Sequence, residues 1–216
     1  MSQGTEHDCV ARVNALLKEH NTNESESRLR APDWEVRSVP LAAARQMVEQ
    51  HHYARGASNT AVYVHGLYQR STGQLYGVAW WLPPTRVAAE SVNRAEWQRV
   101  LSLSRMVMLP GTPANACSFL LARSIRIIRR DRRFVSIITY ADESVGHTGG
   151  VYRAANWGYV GRTGPHPKWV DPASGRQVAV KATKSRTKAQ MEQLGYQRVG
   201  SFHKHKFVLH LTRSKP

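Results

Sequence analysis

The stretch from Leu101 to Trp157 most constrains what this chain can fold into, because strand-like and helix-like segments alternate along it. LSLSRMVML predicts a buried strand, a Gly/Pro loop follows it, and ACSFLLARSIRIIRR has the apolar spacing of a helix. VSIITY predicts a second strand that ends at Asp142, and HTGGVYRAANWGY predicts a second helix. A strand that leads through a glycine loop into a helix points backbone N–H groups and the helix dipole at one spot, which suits an anion. We therefore predict an α/β fold with a ligand site at this loop.

The segments around this unit complete a single folded domain. WEVRSVP predicts a first strand from Trp34, LAAARQMVEQHHY predicts a helix, and two apolar runs that flank STGQ predict a hairpin with Gly73 in its turn. GSFHKHKFVLHL predicts a final strand, whereas TGPHPKWVDPASGRQ predicts a long loop or insertion. With 216 residues, 41% of them hydrophobic, one domain over residues 32–216 is favoured over two small ones. Residues 1–31 are polar and predict a flexible N-terminal arm.

Regular alternation along the strand that starts at Leu101 would place Arg105 on an apolar face. That face would be formed by the odd-numbered residues Leu101, Leu103, Arg105, Val107 and Leu109. A buried guanidinium is costly without a partner, so we expect Arg105 either to extend to solvent or to pair with a carboxylate. Asp142 is the candidate partner, because it ends the neighbouring strand. Such a pair would either join the strands or orient a catalytic carboxylate.

Charge is the strongest compositional signal. The chain has 31 Lys and Arg against 15 Asp and Glu, a formal net charge of +16, and residues 162–216 alone contribute +10. This surplus favours a polyanionic partner, namely nucleic acid, with an anionic membrane surface as the alternative. In the first helix of the central unit, arginines recur at helical spacing and form either a solvated surface or a phosphate contact: Arg123, Arg126, Arg130 and Arg133. Trp169, which lies among basic residues, is the candidate aromatic for stacking on a displaced base.

The sequence also indicates whether the protein is secreted or bound to a membrane. No apolar run approaches the roughly 20 residues that span a bilayer, and no secretory signal is recognisable, so we expect a soluble, cytoplasmic protein with no membrane partner. Cys9 and Cys117 are too few for a disulfide framework and predict free thiols. The oligomeric state stays open between monomer and homodimer.

Several blocks of the chain resemble a known family. The order of predicted elements resembles the layout of GNAT acyltransferases, and in the segment ANWGY the resemblance would make Gly158 the left-handed residue that ends a helix. HHYARG, SLSRMVML with ACSFLL, and YADESVGHTGGVYRAANWGYVG are together similar to the phage Mom DNA-modification proteins, which are related to GNAT enzymes. The resemblance covers about Trp34 to Leu211. It implies a single GNAT-like domain with a central mixed sheet flanked by helices.

The resemblance also implies a reaction. Mom-type proteins transfer a carbamoylmethyl group to the exocyclic N6 of adenine in DNA, which protects phage DNA from restriction inside the host cell. Carried over by position, the catalytic residues would be His52, Tyr53, Arg105, Asp142 and Tyr152. The N6 lone pair is delocalised into the adenine ring, so transfer needs acid–base assistance and an activated small-molecule donor.

The resemblance also concerns a donor molecule and a metal ion. Gly111 lies in the loop before the helix that begins with ACSFLL, and Asn115 and Ser118 lie at the start of that helix. All three are candidates to bind the donor, although helix capping explains Asn115 and Ser118 equally well. This loop departs from the acetyl-CoA loop of GNAT enzymes because it has one glycine and a proline that removes a donor, so we expect acetyl-CoA to bind weakly or not at all. Iron is associated with the family, and His52, Tyr53 and Asp142 would be its ligands.

Two other functions stay open at this point. One is an ordinary acetyl-CoA-dependent N-acetyltransferase, which binding of acetyl-CoA would favour. The other is a DNA-binding anti-restriction protein without catalysis, which would leave adenine unmodified. The sequence leaves open the donor, the base context and the role of the arm.

Overall fold

The computed structural model describes residues 28–178, 183 and 185–211. Cys9 and most of the predicted arm, residues 1–27, lie outside the described residues. Leu29 is already buried in the core, so packing extends beyond the predicted domain boundary at residue 32.

A mixed sheet of seven strands forms the centre of the fold, in the order β1-β2-β3-β4-β5-β10-β6. Its strands are β1 (Trp34–Ser38), β2 (Tyr63–Gln69), β3 (Leu75–Leu82), β4 (Val100–Met108), β5 (Ser136–Asp142), β6 (Gly158–Arg162) and β10 (Lys204–His210). The β4–β5 pair is parallel and the other pairs are antiparallel. The predicted hairpin is confirmed, with Gly73 at φ +68° in its turn. The α/β class with a central mixed sheet is likewise confirmed.

Five helices accompany the described strands. They are α1 (Leu41–His51), α2 (Arg86–Glu90), α3 (Ala116–Asp131), α4 (Gly150–Ala154) and α5 (Lys188–Gln193). Helix α1 packs on one face of the sheet, where Val48 lies in an apolar cluster with Trp80. Helices α3 and α4 pack on the other face, where Ile128 shares a cluster with Trp81 and Phe207. The consecutive residues Trp80 and Trp81 therefore fill opposite sides of the sheet, as alternation along a strand requires.

The predicted alternation along β4 is wrong beyond Leu103. Trp81 pairs with Leu103 and Trp80 pairs with Arg105, so Ser104 is an extra residue, a β-bulge. Leu103 belongs to the cluster on the α3 side, whereas Val107 belongs to the cluster on the α1 side. The bulge thus moves Arg105 and Val107 to the face opposite Leu101.

The stretch predicted as a long loop contains part of a second sheet, with the order β8-β7-β9. Its strands are β7 (His166–Asp171), β8 (Arg176–Gln177) and β9 (Gln197–Phe202). Pro172 and Gly175, two of the residues that suggested a loop, lie in the turn between β7 and β8, where the Gly175 N–H donates to the Asp171 carbonyl. The predicted final strand divides at His203 into β9 and β10, one in each sheet.

The helix predicted from HTGGVYRAANWGY is shorter than this sequence suggested. Helix α4 ends at Ala154, and the residue with positive φ after it is Asn156, at +61°. Gly158 instead begins β6, so the assignment of Gly158 as the left-handed residue was wrong.

Within the described residues, no helix is both long enough and apolar enough to cross a bilayer.

Candidate active site

One cavity lies where β4 and β5 stop pairing. Their parallel ladder ends at Ser102 and Ile138, although β4 continues to Met108 and β5 continues to Asp142. The bulge at Ser104 lies just beyond the last pair and bends β4. A cavity of about 390 Å³ fills the gap between the strands. It lies at the carboxyl ends of two parallel strands, where open α/β sheets usually bind ligands.

Side chains from both faces of the sheet line this cavity. The polar and reactive ones are His52, Tyr53, Ser104, Arg105, Cys117, Thr139, Tyr140, His147, Thr148 and Tyr152. The structure thus brings together four of the five predicted catalytic residues. No carboxylate is among the described lining residues, and Arg105 carries the permanent charge. The cavity therefore favours an anionic or carbonyl-containing group.

His52 is the residue after α1 and is only 8% exposed. Its Nδ1 accepts a hydrogen bond of 3.1 Å from the Ala54 N–H, so a neutral ring carries its proton on Nε2. Burial, followed by the charges of Arg105 and His147, lowers the pKa of His52 to about 4. At neutral pH, His52 is therefore an uncharged hydrogen-bond donor.

Tyr53 stands beside His52, with ring centroids 4.3 Å apart. Its ring also meets His147 edge-on at 5.5 Å. Loss of water around the hydroxyl and the nearby charge of Asp142 raise the pKa of Tyr53 to about 12. The phenol stays protonated at neutral pH.

Arg105 is held by backbone oxygens and not by the predicted carboxylate. Its Nε donates to the Gly56 carbonyl at 2.9 Å, and one terminal nitrogen donates to the Ser104 carbonyl at 2.7 Å. The predicted Arg105–Asp142 pair is therefore wrong: after the bulge, the guanidinium reaches the loop that follows α1.

Asp142 ends β5, as predicted, but lies outside the cavity lining and is 6% exposed. Oδ1 accepts hydrogen bonds from the Ser144 N–H at 3.0 Å and the Ser144 hydroxyl at 2.6 Å, and Oδ2 lies 3.5 Å from Lys204 Nζ. Burial acts to raise the pKa of Asp142, but the bonds from Ser144 and the charge of Lys204 outweigh it and hold that pKa below its usual value. Asp142 is thus a fixed carboxylate beside the site.

Tyr152 projects from α4 into the α3 side of the cavity. Its ring packs on Phe207 and Trp157, with centroids 5.3 and 5.6 Å away. Burial raises the pKa of Tyr152, so the phenol is protonated and available as an acid. The neighbouring Cys117 is a free thiol, as predicted, and burial raises its pKa to about 11, which makes it a poor nucleophile.

The residues predicted to bind the donor group lie outside this cavity. Asn115 Oδ1 accepts a 2.7 Å bond from the Leu29 N–H, and the Ser118 hydroxyl donates to the Asn115 carbonyl at 2.9 Å. Gly111 lines a separate cavity with residues from the start of the described chain. Neither side chain caps α3: Asn115 connects the loop to the described start of the chain, and Ser118 bonds to the carbonyl three residues before it.

Of the four residues predicted to bind DNA, Arg126 and Arg130 are exposed on α3. Arg133 follows the helix and makes an ion pair of 2.7 Å with Asp131, so its charge is already matched. Trp169 is 4% exposed, so it offers almost no ring surface to a base. A stacking role for Trp169 is not supported.

The proposed iron ligands do not fit a metal centre. His52 Nδ1 is occupied by a backbone N–H, which leaves a proton on Nε2, and both Asp142 oxygens already have partners. Within the described part of the chain, no three His, Cys, Asp or Glu residues are grouped so as to hold a metal ion.

Sequence reasoning missed several residues that shape this site. Thr139 and Tyr140 lie inside a strand that reads as core, and Cys117 lies in the first turn of α3. Ser144 holds Asp142 directly, and Lys168 does so indirectly, since Lys168 Nζ donates to the Ser144 hydroxyl at 3.1 Å. For Thr139, the one signal in the sequence that could have indicated a position at the cavity is that it lies near the end of a predicted strand.

A comparison with protein families shows to which family the chain belongs. The profile of the Mom protein family matches residues 33–215, which is most of the chain. The chain belongs to the Mom protein family. A curated relative, the methylcarbamoylase Mom of Escherichia phage Mu, is 31% identical over 134 residues, covering 58% of this chain and 53% of that protein. The match thus spans about half of the length of the relative.

Solved structures similar to this Mom family member are acetyltransferases. The ribosomal-protein-S18-alanine N-acetyltransferase of Escherichia coli has a TM-score of 0.51 and 11% identity, covering 84% of this chain and 96% of its own. YncA from Salmonella typhimurium, solved with its cofactor acetyl-CoA, gives 0.51 and 10%, covering 85% and 96%. A mosquito arylalkylamine N-acetyltransferase-like protein gives 0.52 and 9%, covering 82% and 99%. At these identities the similarity establishes a GNAT-like fold.

Proposed function

We propose that this protein is a transferase that adds a carbamoylmethyl-type group to the N6 of adenine in double-stranded DNA and thereby protects phage DNA from restriction in the cytoplasm of the host. The cavity between β4 and β5 carries the proposal, because it gathers His52, Tyr53, Arg105 and Tyr152 in a chain of the Mom family. The phage Mu relative is named a methylcarbamoylase. The formal net charge of +16 favours a polyanionic substrate.

An adenine must leave the duplex before its N6 reaches such a cavity. The volume of about 390 Å³ lies within the usual range of small-molecule sites. A displaced base and a small donor would meet between the α1 side and the α3 side, where the two strands no longer pair.

The transfer requires one bond to form and one to break. N6 bonds to the transferred carbon while that carbon loses its leaving group; N6 gives up a proton and the leaving group gains one. Tyr152 is suited to supply a proton because its phenol is buried and protonated. Arg105 and the Nε2–H of His52 are suited to hold a carbonyl oxygen of the transferred group.

The donor in this proposal is a small metabolite other than acetyl-CoA. Support comes from the loop before α3, where Pro113 has no N–H to donate and the Ala116 N–H already donates to the Pro113 carbonyl, which leaves fewer backbone donors for a pyrophosphate. The donor set gives no support for iron.

Nucleoside mass spectrometry of plasmid DNA from bacteria that express the chain tests the proposal. We expect a deoxyadenosine heavier by one carbamoylmethyl group, absent from cells with an empty vector. Unmodified adenine together with tight DNA binding would indicate the non-catalytic alternative. An acetylated product that depends on added acetyl-CoA would indicate the ordinary acetyltransferase.

A further inference from the structure

Two adjoining cavities along β1 form one elongated groove. Their volumes are about 290 and 520 Å³, and they share Trp34 and Arg70. The groove extends from the Gly111 loop to the last turn of α3. Its cationic lining consists of Arg28, Arg30, Arg70, Arg123, Arg126 and Arg130, and we call it the arginine groove.

The charge of the arginine groove is largely unmatched. Its six guanidiniums face two carboxylates: Asp33 lies 3.8 Å from Arg30 and Glu35 lies 3.1 Å from Arg70, which leaves Arg28, Arg123, Arg126 and Arg130 without a carboxylate partner among the described residues. Arg126 and Arg130 are exposed and form no ion pair with any residue in the described part of the chain. By contrast, Arg133, a short distance along the chain, is paired with Asp131. Cations concentrated without counterions attract a polyanion.

The spacing of these residues fits a row of phosphates. Arg123 and Arg130 are seven residues apart on α3, which is about 10 Å along the helix axis. Every nucleotide of a DNA strand carries one phosphate, so arginines spread over this distance meet more than one phosphate of a strand that runs along the groove. Guanidinium groups bind phosphate oxygens in pairs through their planar fork.

We infer that the arginine groove binds the sugar–phosphate backbone of duplex DNA, an inference that rests on the proposed function and names its DNA-binding surface. The groove adds Arg28, Arg30, Arg70 and Arg123 to the two helical arginines predicted from sequence. Trp34, its aromatic wall, is 7% exposed and has little ring surface for a base. Binding through this groove is therefore independent of sequence.

The test is the salt dependence of binding to an unmodified duplex, measured by fluorescence anisotropy without any donor. Each lost phosphate contact lowers the slope of log affinity against log salt concentration by about 0.9. The double variant Arg126→Gln/Arg130→Gln should therefore lose about 2 from the slope. Arg28→Gln, from the other end of the groove, should lose about 1.

A control with the same change in net charge is Arg94→Gln/Arg129→Gln. Both residues are exposed, Arg129 lies on the same helix, and neither lines the groove. We expect this control to keep the slope of the unmodified protein. Equal slopes for the two double variants would overturn the inference, since they would indicate general charge and not a defined surface.

The salt slope of DNA binding tests the arginine groove, whereas the amount of modified nucleoside tests the proposed function. A normal modified nucleoside from the groove double variant, with an unchanged slope, would overturn the groove and leave the proposed function intact. A reduced slope in a protein that modifies no adenine would support the groove and overturn the proposed function.

Discussion

At the scale of single residues, Asp142 is fixed by its place at the end of β5, by Ser144 and by Lys204. An apolar run followed by a carboxylate marks a strand end, so the position of Asp142 could be predicted from the sequence. Its partner Lys204 belongs to β10, which is more than 60 residues away in the chain but next to β5 in the sheet. Arg105 was assigned a carboxylate and has backbone carbonyls instead. Tertiary neighbours of this kind leave no local pattern.

The variant Tyr152→Phe removes only the phenol hydroxyl and therefore tests whether this group takes part in the reaction. The ring contacts with Phe207 and Trp157 remain, so the variant should fold normally, while the loss of the hydroxyl should reduce adenine modification at least about 100-fold. Tyr159→Phe is the control, because its hydroxyl lies outside the cavity near His205. The measurement is the modified fraction of plasmid adenine at matched protein levels. Near-normal modification by Tyr152→Phe would remove that residue from the reaction.

At the scale of elements, the apolar pattern predicted β1 to β5 and the helices α1 and α3. The pattern failed where geometry departs from a regular period. The bulge at Ser104 has no sequence mark, yet it changes the face on which Arg105 lies and coincides with the end of pairing that opens the cavity. Strands β7 and β8 were missed because their prolines and glycine suggested a loop.

Gly149 holds the loop that borders the cavity, and Gly149→Ala tests that role. Gly149 has φ +80°, and an added Cβ would lie 2.2 Å from the ring of Phe207. Backbone strain of about 1–2 kcal/mol and overpacking of about 1–3 kcal/mol should together lower the free energy of unfolding. Gly146→Ala is the matched control, because φ is +74° and no atom lies within 4 Å of the added Cβ. Urea unfolding should show the larger loss for Gly149→Ala; equal losses would mean that Phe207 moves aside at no cost.

At the scale of the whole molecule, both apolar layers contain a neutral histidine. His52 lies by the cavity, and His65 is 2% exposed beside Ser124, whose hydroxyl lies 2.6 Å from His65 Nδ1 and accepts a 2.7 Å bond from Trp81 Nε1. Burial lowers the pKa of His65 to about 4, as it does for His52. Net charge was visible in composition, but these buried histidines were not, because burial depends on the assembled sheet.

The stability of the fold should therefore fall in mild acid. Above pH 6.5 both histidines are neutral in the folded and unfolded states; between pH 6.5 and about 4 the unfolded chain binds protons first, so the free energy of unfolding decreases as pH falls. The loss should reach a few kcal/mol, since one pKa unit corresponds to about 1.4 kcal/mol. Urea unfolding at several pH values measures this decrease in the free energy of unfolding. His65→Gln should flatten this slope and exposed His51→Gln should not; identical slopes for both would contradict the assignment.

The second sheet lies within a segment whose ends meet. Residues 163–203 leave the main sheet after β6 and return at β10, its hydrogen-bonded neighbour, and the Thr163 N–H closes the base of this excursion with a 3.0 Å bond to the Lys204 carbonyl. In engineering terms, the segment is a module for exchange at this base, because none of its described residues belongs to a strand of the seven-stranded sheet. The contact from Lys168 to Ser144 would have to be rebuilt in each chimera, since it connects the module to Asp142.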